Sequence, residues 1–368
     1  MKYWNKRIRT LEPYIPGEQP GGTGWIKLNT NENPFPPSPA VREAISRAAD
    51  AALERYPDPE ANIFREAAAR YIGIAKECIF AGNGSDELLA FAFGAFFADS
   101  RSPISADVKE LPLLFPEITY SFYRVYADLW SLPFREIPVL DDFTVSVDAF
   151  RIPCAGIVLC NPNAPTGIAL EKREILDLVE YQRQRETLVL VDEAYAEFGA
   201  ESVVSETLDY DNLLVVRTLS KSKSLAGLRA GYAVGNPELI EGLRRMKNMF
   251  NSYTMGTVTQ LVAAAALEDT EYCSRITQEL VAIRAETVAR LTMDGWYVLP
   301  SSTNFLFMRC EGYSGAELYE AFRKRRVLVR HWEKPGIQDY IRVSIGSRKD
   351  MKAFCEIAGE IRGTRELV

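Results

Sequence analysis

Four short, continuously apolar segments between residues 78 and 235 constrain the fold more than any other feature of this sequence. They are 78–81, 156–160, 188–191 and 213–216, and each ends in a polar or glycine-containing turn. Strands with one solvated face alternate apolar and polar residues, so continuous apolar strands indicate a mostly parallel sheet buried on both faces. Helix-like stretches separate the segments. The sequence therefore predicts an α/β domain of three layers.

Two regions of different character flank this central part. Residues 1–37 are rich in Pro, Gly and Asn, which predicts an irregular arm. From about residue 256 a long helical pattern precedes shorter strand-like and helix-like segments, with a last helix from about residue 348. We therefore predict an N-terminal arm (1–37), a large domain (38–255) and a smaller α/β C-terminal domain (256–368).

Charge and hydropathy exclude several classes of partner. The chain has 43 Lys and Arg against 50 Asp and Glu, a net charge of −7, so it lacks the basic surface expected for nucleic acid or an anionic membrane. No segment approaches the ~20 apolar residues of a membrane span. No apolar stretch follows the charges of residues 1–6, so no secretory signal is expected. We predict a cytoplasmic protein.

Histidine and cysteine usage limits the chemistry. The single histidine, His331, cannot form a two-histidine zinc motif. None of the six cysteines has C-x-x-C spacing, so neither a zinc knuckle nor a redox pair is indicated, and buried thiols in a reducing compartment are expected. No metal is predicted. Catalysis must come from Lys, Asp, Tyr, Ser or a cofactor.

Charged residues follow two of the predicted strands, where ligands bind in parallel α/β sheets. Asp192 comes directly after the third strand and either caps the next turn or has a functional role. A lysine near hydroxyl groups, such as Lys221 after the fourth strand, acts as a nucleophile if its pKa is lowered. Lys223 is interpreted as a solvated charge. Ser220 and Lys223 match the S-x-x-K pattern of serine hydrolases, but the companion motifs of that class are missing.

A glycine-containing turn, residues 82–87, follows the first strand and opens a helix. Small residues at such a position let backbone N–H groups approach a phosphate. The turn imitates a dinucleotide fingerprint, but Glu87 stands at the third glycine position, which weakens the case for a nicotinamide cofactor. No Gly-Lys dipeptide occurs, so a P-loop is excluded. A second turn, residues 161–167, is either structural or part of the same site.

In this order, the motifs resemble those of the fold-type-I pyridoxal-phosphate aminotransferases, and within them the histidinol-phosphate aminotransferase branch. The segments that carry the resemblance span the chain: 28–34, 55–57, 82–87, 119–120, 161–167, 192–195, 217–229, 302–305 and 342–346. The resemblance implies transamination of L-histidinol phosphate with 2-oxoglutarate, giving imidazole acetol phosphate and glutamate, a step of histidine biosynthesis.

The resemblance also assigns cofactor contacts. Lys221 would bind pyridoxal phosphate covalently and then transfer protons, and Asp192 would pair with the pyridinium nitrogen. Tyr195 would hydrogen-bond the phenolic oxygen, and Tyr120 would stack on the ring. The remaining contacts would come from the backbone of Gly84, Ser85 and Asp86 and from the side chains of Thr218, Ser220 and Arg229.

The implied substrate contacts centre on arginines. Glutamate presents carboxylates and histidinol phosphate presents a phosphate ester, so one bidentate arginine can serve both. The resemblance points to Arg342, with Arg330 as a second candidate and with Tyr14 and Asn33 as further substrate contacts. For Arg330, an ordinary surface charge is the alternative interpretation.

Two further implications concern the partner subunit and a departure from the family pattern. Tyr56 would reach the cofactor phosphate of a neighbouring subunit, which implies a homodimer. The family's turn has asparagine directly before Pro-Thr-Gly, donating to the phenolic oxygen, and here that residue is Ala164. Either Asn163 replaces it or Tyr195 holds the oxygen without help.

Other functions remain open at this point. An aromatic amino acid aminotransferase and a phosphothreonine decarboxylase share most of these motifs. A nicotinamide-dependent oxidoreductase belongs to another class. A catalytically inert regulator of the same fold is disfavoured because Lys221, Asp192 and Arg229 are all present.

Overall fold

The computed structural model describes residues 2–4, 8, 9, 11, 14–97 and 111–365. Met1, Asn5 and Lys6, in the segment inspected for a secretory signal, and residues 366–368 of the predicted C-terminal domain lie outside the described residues. The strands are β1 (Ile26–Lys27), β2 (Ile79–Gly82), β3 (Leu113–Pro116), β4 (Phe134–Ile137), β5 (Gly156–Cys160), β6 (Val189–Asp192), β7 (Leu213–Thr218), β8 (Gly231–Gly235), β9 (Tyr297–Val298), β10 (Phe305–Arg309), β11 (Val327–Leu328), β12 (Arg330–His331) and β13 (Ile341–Ser344). The α-helices are α1 (Pro39–Ala48), α2 (Asn62–Ile72), α3 (Ser85–Ala92), α4 (Phe122–Trp130), α5 (Lys172–Arg183), α6 (Pro237–Phe250), α7 (Thr257–Glu268), α8 (Thr270–Met293), α9 (Gly315–Lys324) and α10 (Arg348–Arg365).

A seven-stranded sheet in the order β2-β8-β7-β6-β5-β3-β4 forms the centre of the molecule. Strands β4, β3, β5, β6 and β7 run parallel, and β8 is antiparallel to both of its neighbours. The four apolar segments of the sequence correspond to β2, β5, β6 and β7. The predicted α/β fold with a mostly parallel sheet is confirmed.

The sheet separates two apolar cores, because successive side chains of a strand point to opposite faces. Leu190 and Leu214 lie in the core on one face, with helices α3, α4 and α6. Val189, Val191 and Leu213 lie in the core on the other face, with α1, α2, α5 and α7. Burying each such side chain contributes about 1.5–3 kcal/mol, which explains why these strands are apolar throughout.

The C-terminal part adds a four-stranded antiparallel sheet in the order β12-β13-β10-β9, packed with α8, α9 and α10. The arm, predicted to be irregular, contains β1, which pairs in parallel with β11 of this unit. Backbone N–H groups extend this contact: Leu28 donates to Leu328 and Ser344 donates to Leu28, each at 2.9 Å. The arm thereby joins the C-terminal unit to the edge of the large sheet where β6 and β7 end.

Helix α7 bears on the boundary predicted at residues 255–256. Its residues Val262, Ala263 and Ala266 are buried in the same core as α1, α2 and one face of the large sheet. We therefore propose that the large unit extends through α7, and that α8 opens the small one. In the described ranges, no helix is long and apolar enough to cross a membrane.

Candidate active site

A cavity of about 230 Å³ lies where β6 and β7 end, between the large sheet, the arm and β13. It forms there because the carboxyl ends of parallel strands share one edge of the sheet. Twelve residues predicted from the sequence line it: Tyr14, Ser85, Asp86, Tyr120, Asp192, Tyr195, Thr218, Ser220, Lys221, Arg229, Arg330 and Arg342. The fold thus brings together residues that are more than 300 positions apart in the chain.

Lys221 lies three residues past the end of β7, and its Nζ lies 5.7 Å from the centre of the Tyr195 ring. Its hydrogen bond in the described structure goes to the backbone oxygen of Thr30, at 3.4 Å. Burial, reinforced by the positive charge of Arg342, lowers the pKa of Lys221 to about 8. The amine is thus partly neutral, as a nucleophile must be.

Asp192 is a buried carboxylate at the end of β6. One oxygen accepts from the Tyr123 hydroxyl at 2.9 Å, and the other accepts from the backbone N–H of Ala194 at 3.1 Å. Within the described ranges no Lys or Arg nitrogen pairs with it, and burial raises its pKa to about 6. The Ala194 bond agrees with the capping interpretation, but the burial and missing cation make this group a site for a positively charged ligand atom.

Tyr195 and Asn31 form a hydrogen-bonded pair beside these groups. The Asn31 side-chain amide donates to the Tyr195 hydroxyl at 3.0 Å, and its carbonyl oxygen accepts from the Ser344 hydroxyl at 3.1 Å. The Phe305 ring meets the Tyr195 ring edge-to-face at 5.2 Å. Sequence reasoning placed Asn31 in a motif but gave it no role, because Asn29 and Asn33 lie beside it in the same motif and nothing local distinguishes the three.

The turn that opens α3 forms a concave cup with Arg229. Gly84 adopts a φ of +88°, and a Cβ there would lie 2.8 Å from an Arg229 guanidinium nitrogen. Arg229 donates to the Asp86 carboxylate at 3.0 Å, and the Tyr120 hydroxyl donates to the same carboxylate at 2.9 Å. With the free N–H groups of a helix N-terminus, this cup suits a phosphate.

The hydroxyl groups of Thr218, the last residue of β7, and of Ser220 complete the cup. Thr218 donates through its side chain to the Ser220 hydroxyl at 2.9 Å, and the Ser220 backbone N–H donates to Thr218 at 3.2 Å. These bonds hold the turn that carries Lys221. The predicted cofactor contacts Thr218 and Ser220 therefore lie together at the cavity wall.

Arg330 and Arg342 lie opposite each other on the antiparallel strands β12 and β13. Arg342 lies 5.2 Å from the centre of the Phe305 ring and 5.2 Å from that of Trp332, and it donates to the Asn29 backbone oxygen at 3.3 Å. Its buried Nε has no partner among the described residues, and in those ranges neither arginine pairs with a carboxylate. Two adjacent cations without acidic partners make an anion site.

Four predicted residues lie outside the cavity lining. Gly84 packs against the Arg229 guanidinium and does not itself line the cavity. The Asn33 side-chain amide donates to the backbone oxygen of Lys221 at 2.9 Å, so it fixes the backbone of the lysine. Tyr56 is 82% exposed and stacks on Tyr253 at 4.6 Å.

Asn163 is the one predicted contact whose geometry disagrees with its role. Its amide donates to the Ile118 backbone oxygen at 2.8 Å and to the Thr166 hydroxyl at 3.1 Å, and its oxygen accepts from Thr119 at 2.8 Å. In this conformation both amide N–H groups are committed to the turn, so the donation of Asn163 to the phenolic oxygen stays a prediction that would need a shift of the backbone. Asn31, bonded to Tyr195, lies at the cavity instead.

These residues fit pyridoxal phosphate group by group. The cup matches a phosphate, the unpaired Asp192 matches a protonated ring nitrogen, and the Lys221 amine matches an aldehyde carbon. No cluster of three or more His, Cys, Asp or Glu side chains able to hold a metal occurs in the part of the chain that the structure describes.

Comparison with known proteins gives a consistent result. Residues 23–357 match the family model of class I and II aminotransferases. A histidinol-phosphate aminotransferase of Acetobacter pasteurianus is 48% identical over 360 residues, covering 98% of each chain.

Two solved structures share the fold. The histidinol-phosphate aminotransferase of Sinorhizobium meliloti, in complex with pyridoxal-5'-phosphate, has a TM-score of 0.84 at 24% identity, covering 100% of this chain and 99% of that one. An aromatic aminotransferase of Pyrococcus horikoshii has a TM-score of 0.80 at 21% identity, covering 94% and 97%. At such identities the fold is shared by enzymes with different donors.

Proposed function

Because the chain belongs to the class I and II aminotransferases, we propose that it transfers the amino group of L-histidinol phosphate to 2-oxoglutarate, with pyridoxal phosphate as cofactor and imidazole acetol phosphate and glutamate as products. The name of the Acetobacter pasteurianus relative supports this donor. The observation that carries the proposal is the pair Arg330 and Arg342, which lines the cavity that also holds Lys221. The proposed place of the reaction is histidine biosynthesis.

The arginine pair suits the two substrates in turn. Histidinol phosphate has no carboxylate, so an enzyme that alternates it with glutamate must accept a phosphate ester and a carboxylate at one place. Guanidinium groups bind both anions through paired N–H donors. Tyr14 lines the same cavity from the arm, where it packs on Phe122 at 4.4 Å, and its hydroxyl is a further donor for a phosphate.

The chain's own groups supply binding and proton transfer. Bound pyridoxal phosphate would supply a ring that withdraws electrons from the substrate carbon. Lys221 would hold it through Nζ and, once released, move a proton at that nitrogen, which its lowered pKa permits. Asp192 would keep the ring nitrogen protonated. Because Asn31 donates to the Tyr195 oxygen, the tyrosine proton remains available for the phenolic oxygen.

An aromatic donor is the second candidate, favoured by a neighbouring cavity. This cavity of about 400 Å³ shares Tyr14, Tyr120 and Arg342 with the first and is also lined by Phe115 and Trp332. Its aromatic walls have room for a ring. The family match leaves the nicotinamide-dependent alternative without support.

A donor panel with 2-oxoglutarate tests the proposal. We expect kcat/KM for histidinol phosphate to exceed that for tyrosine and phenylalanine, and phosphothreonine to release no carbon dioxide. A preference for tyrosine would replace the proposal with the aromatic alternative. Borohydride reduction of the holoenzyme followed by peptide mapping should place the cofactor on Lys221, and a label on Lys223 would contradict the assignment of the lysine.

We also propose that the enzyme is a cytoplasmic homodimer. Tyr56, Met249 and Phe250 are 82%, 84% and 77% exposed, and such a group of large apolar side chains is typical of an interface. Tyr56 would then reach the phosphate cup of the partner subunit. All six cysteines are buried thiols that form no disulfide in the described structure, which agrees with a reducing compartment.

A further inference from the structure

We infer that Trp332 is a positioning residue that holds Arg330 and Arg342 in place for the substrate anion. The Trp332 ring centre lies 5.5 Å from the Arg330 guanidinium and 5.2 Å from that of Arg342. The inference rests on the proposed function in one respect, that the anion is a group of the substrate.

Two arginines that face each other across paired strands repel, so each guanidinium group needs a further contact that stabilises its charge. The register of β12 and β13 places Arg330 directly opposite Arg342. Burial, with a smaller contribution from the charge of Arg330, lowers the pKa of Arg342. Buried charges in proteins are normally paired with an opposite charge. Within the described ranges no carboxylate pairs with either side chain, so another group must stabilise them.

The aromatic rings take that place. Phe305 and Trp332 both lie within cation–π distance of Arg342, at 5.2 Å each. Trp332 makes the same kind of contact with Arg330, at 5.5 Å. An aromatic ring attracts a cation through the negative potential of its face. Trp332 is therefore the one side chain of the described structure that has this contact with both arginines.

The difference between a ring and a carboxylate matters for binding. A carboxylate would occupy the N–H edges of the guanidinium groups and cancel their charge, so a substrate would have to displace it. An aromatic ring does not neutralise the guanidinium charge, and it leaves the N–H groups free to donate to a substrate anion. The Nε of Arg342 has no partner among the described residues, and the guanidinium group donates one long hydrogen bond, of 3.3 Å, to the backbone oxygen of Asn29.

Arg330 is fixed from a second side by the arm. It donates to the backbone oxygens of Ile15 at 2.8 Å and Pro16 at 3.3 Å. Its charge thus remains uncancelled as well. Trp332 is expected to set the spacing between the two guanidinium groups, and this spacing selects an anion that can bridge them.

Three substitutions test the inference: Trp332→Leu and Trp332→Met, which remove the ring, and Trp332→Phe, which keeps one. Each holoenzyme is titrated with succinate, a dicarboxylate without an amino group, by calorimetry. We expect dissociation constants about 10-fold higher for the Leu and Met variants, and a value within about 3-fold of wild type for Phe. KM for 2-oxoglutarate should rise in parallel, with kcat changed by less than about 2-fold, since Trp332 acts on binding alone.

Tyr297→Leu is the matched control. Tyr297 lies 4.9 Å under Arg309, outside both cavities, so its loss removes a comparable cation–π contact without touching the anion site. Unchanged succinate binding in Trp332→Leu and Trp332→Met overturns the inference, and so does an equal loss in the Phe variant. Since succinate reports on the arginines whichever donor is used, this result is independent of the donor panel.

Discussion

At the scale of single residues, Asp192 and Lys221 have pKa values displaced in opposite directions by the same cause. Burial disfavours charge, so it raises the pKa of Asp192 to about 6 and lowers that of Lys221 to about 8. Lys223, two residues further, differs: burial opposes its charge, but Glu197 at 3.3 Å raises its pKa. Lys223, which sequence reasoning treated as a solvated charge, is thus buried and ion-paired, whereas no carboxylate pairs with Lys221 among the described residues.

Asp192→Asn should stabilise the cofactor-free protein while weakening cofactor binding. In the wild type, the folded-state pKa lies above the unfolded one, so stability falls as pH rises through the window between 3.8 and about 6. At pH 7 the neutral amide should gain about 1–2 kcal/mol, less than two pKa units represent, because the Tyr123 and Ala194 bonds weaken. Urea denaturation measures this gain. Pyridoxal phosphate should bind to the variant about 10–100-fold more weakly than to the wild type, a loss of about 1.4–3 kcal/mol of binding free energy.

Acylation of Lys221 in the cofactor-free protein should follow an apparent pKa near 8. Because the neutral amine reacts, the rate with acetic anhydride, mapped by peptide mass, should rise with pH and level off above about 8. Arg342→Gln removes a nearby positive charge and should move the profile to higher pH. Lys223 is the internal reference, with slow labelling over the same range. A Lys221 profile rising only near 10 would contradict the burial argument.

The role of a residue was predictable where a motif placed a reactive residue type at a fixed spacing from other residues of the motif. Lys221, Asp192 and Arg229 reach one cavity as expected. Asn31 was missed because its side chain bonds to Tyr195 and Ser344, which are distant in the chain. Trp332 was missed because its role depends on the pairing of β12 with β13, which places Arg330 opposite Arg342. No local pattern carries that information.

At the scale of secondary-structure elements, a buried ion pair connects the ends of β6 and β7. Arg217 donates to Glu193 through two nitrogens, at 2.8 and 3.0 Å. Each residue is the chain neighbour of a cavity residue, Asp192 or Thr218. The pair therefore fixes the distance between the strand that carries the carboxylate and the strand that leads to the lysine.

Glu193→Ala should destabilise the cofactor-free protein by about 3–5 kcal/mol, because it leaves the Arg217 charge buried and unpaired by this partner. The control is Asp211→Ala, which breaks the exposed pair with Arg183 at 3.1 Å and should cost less than about 1 kcal/mol. Urea denaturation monitored by fluorescence compares them. Similar losses in the two variants would show that burial of the Glu193 pair has no special effect.

The elements themselves were largely predictable, because apolar runs and turn residues are local signals. Strands β5, β6 and β7 and helix α10 lie close to the predicted segments. The strand β1 escaped prediction because two residues give no periodicity. The placement of α7 on α1 and α2 depends on tertiary packing, and no local pattern near residue 256 indicates it.

At the scale of the whole molecule, the proposed dimer makes each site depend on two chains. Lys221→Ala removes the lysine, and Tyr56→Phe removes the hydroxyl offered to the partner. When the two variants are dissociated and mixed, a mixed dimer has one site with both Lys221 and the partner's Tyr56 hydroxyl. We expect transaminase activity above the sum of the separate variants. No gain, with mixed dimers verified by mass, would remove Tyr56 from the partner's site.

The order of strands in the large sheet could not be predicted from the sequence. The antiparallel strand β8 lies between β2 and β7, although β2 and β8 are about 150 residues apart. Such pairing is decided by the packing of the whole chain. The fold class followed from local patterns, and the topology did not.

The pairing of the arm with β11 and β13 has a consequence for synthesis on the ribosome. The large sheet is complete once β8 has emerged, but the backbone N–H and C=O of Leu28 find their partners only at residues 328 and 344. At about 5–20 residues per second, the nascent chain waits roughly 5–20 s between these two events. During that interval the residues of the cup and Lys221 have been synthesised, but Arg330 and Arg342 are not yet in place. Translation therefore completes the strands that carry Asp192 and lead to Lys221 before it completes the strands that carry Arg330 and Arg342.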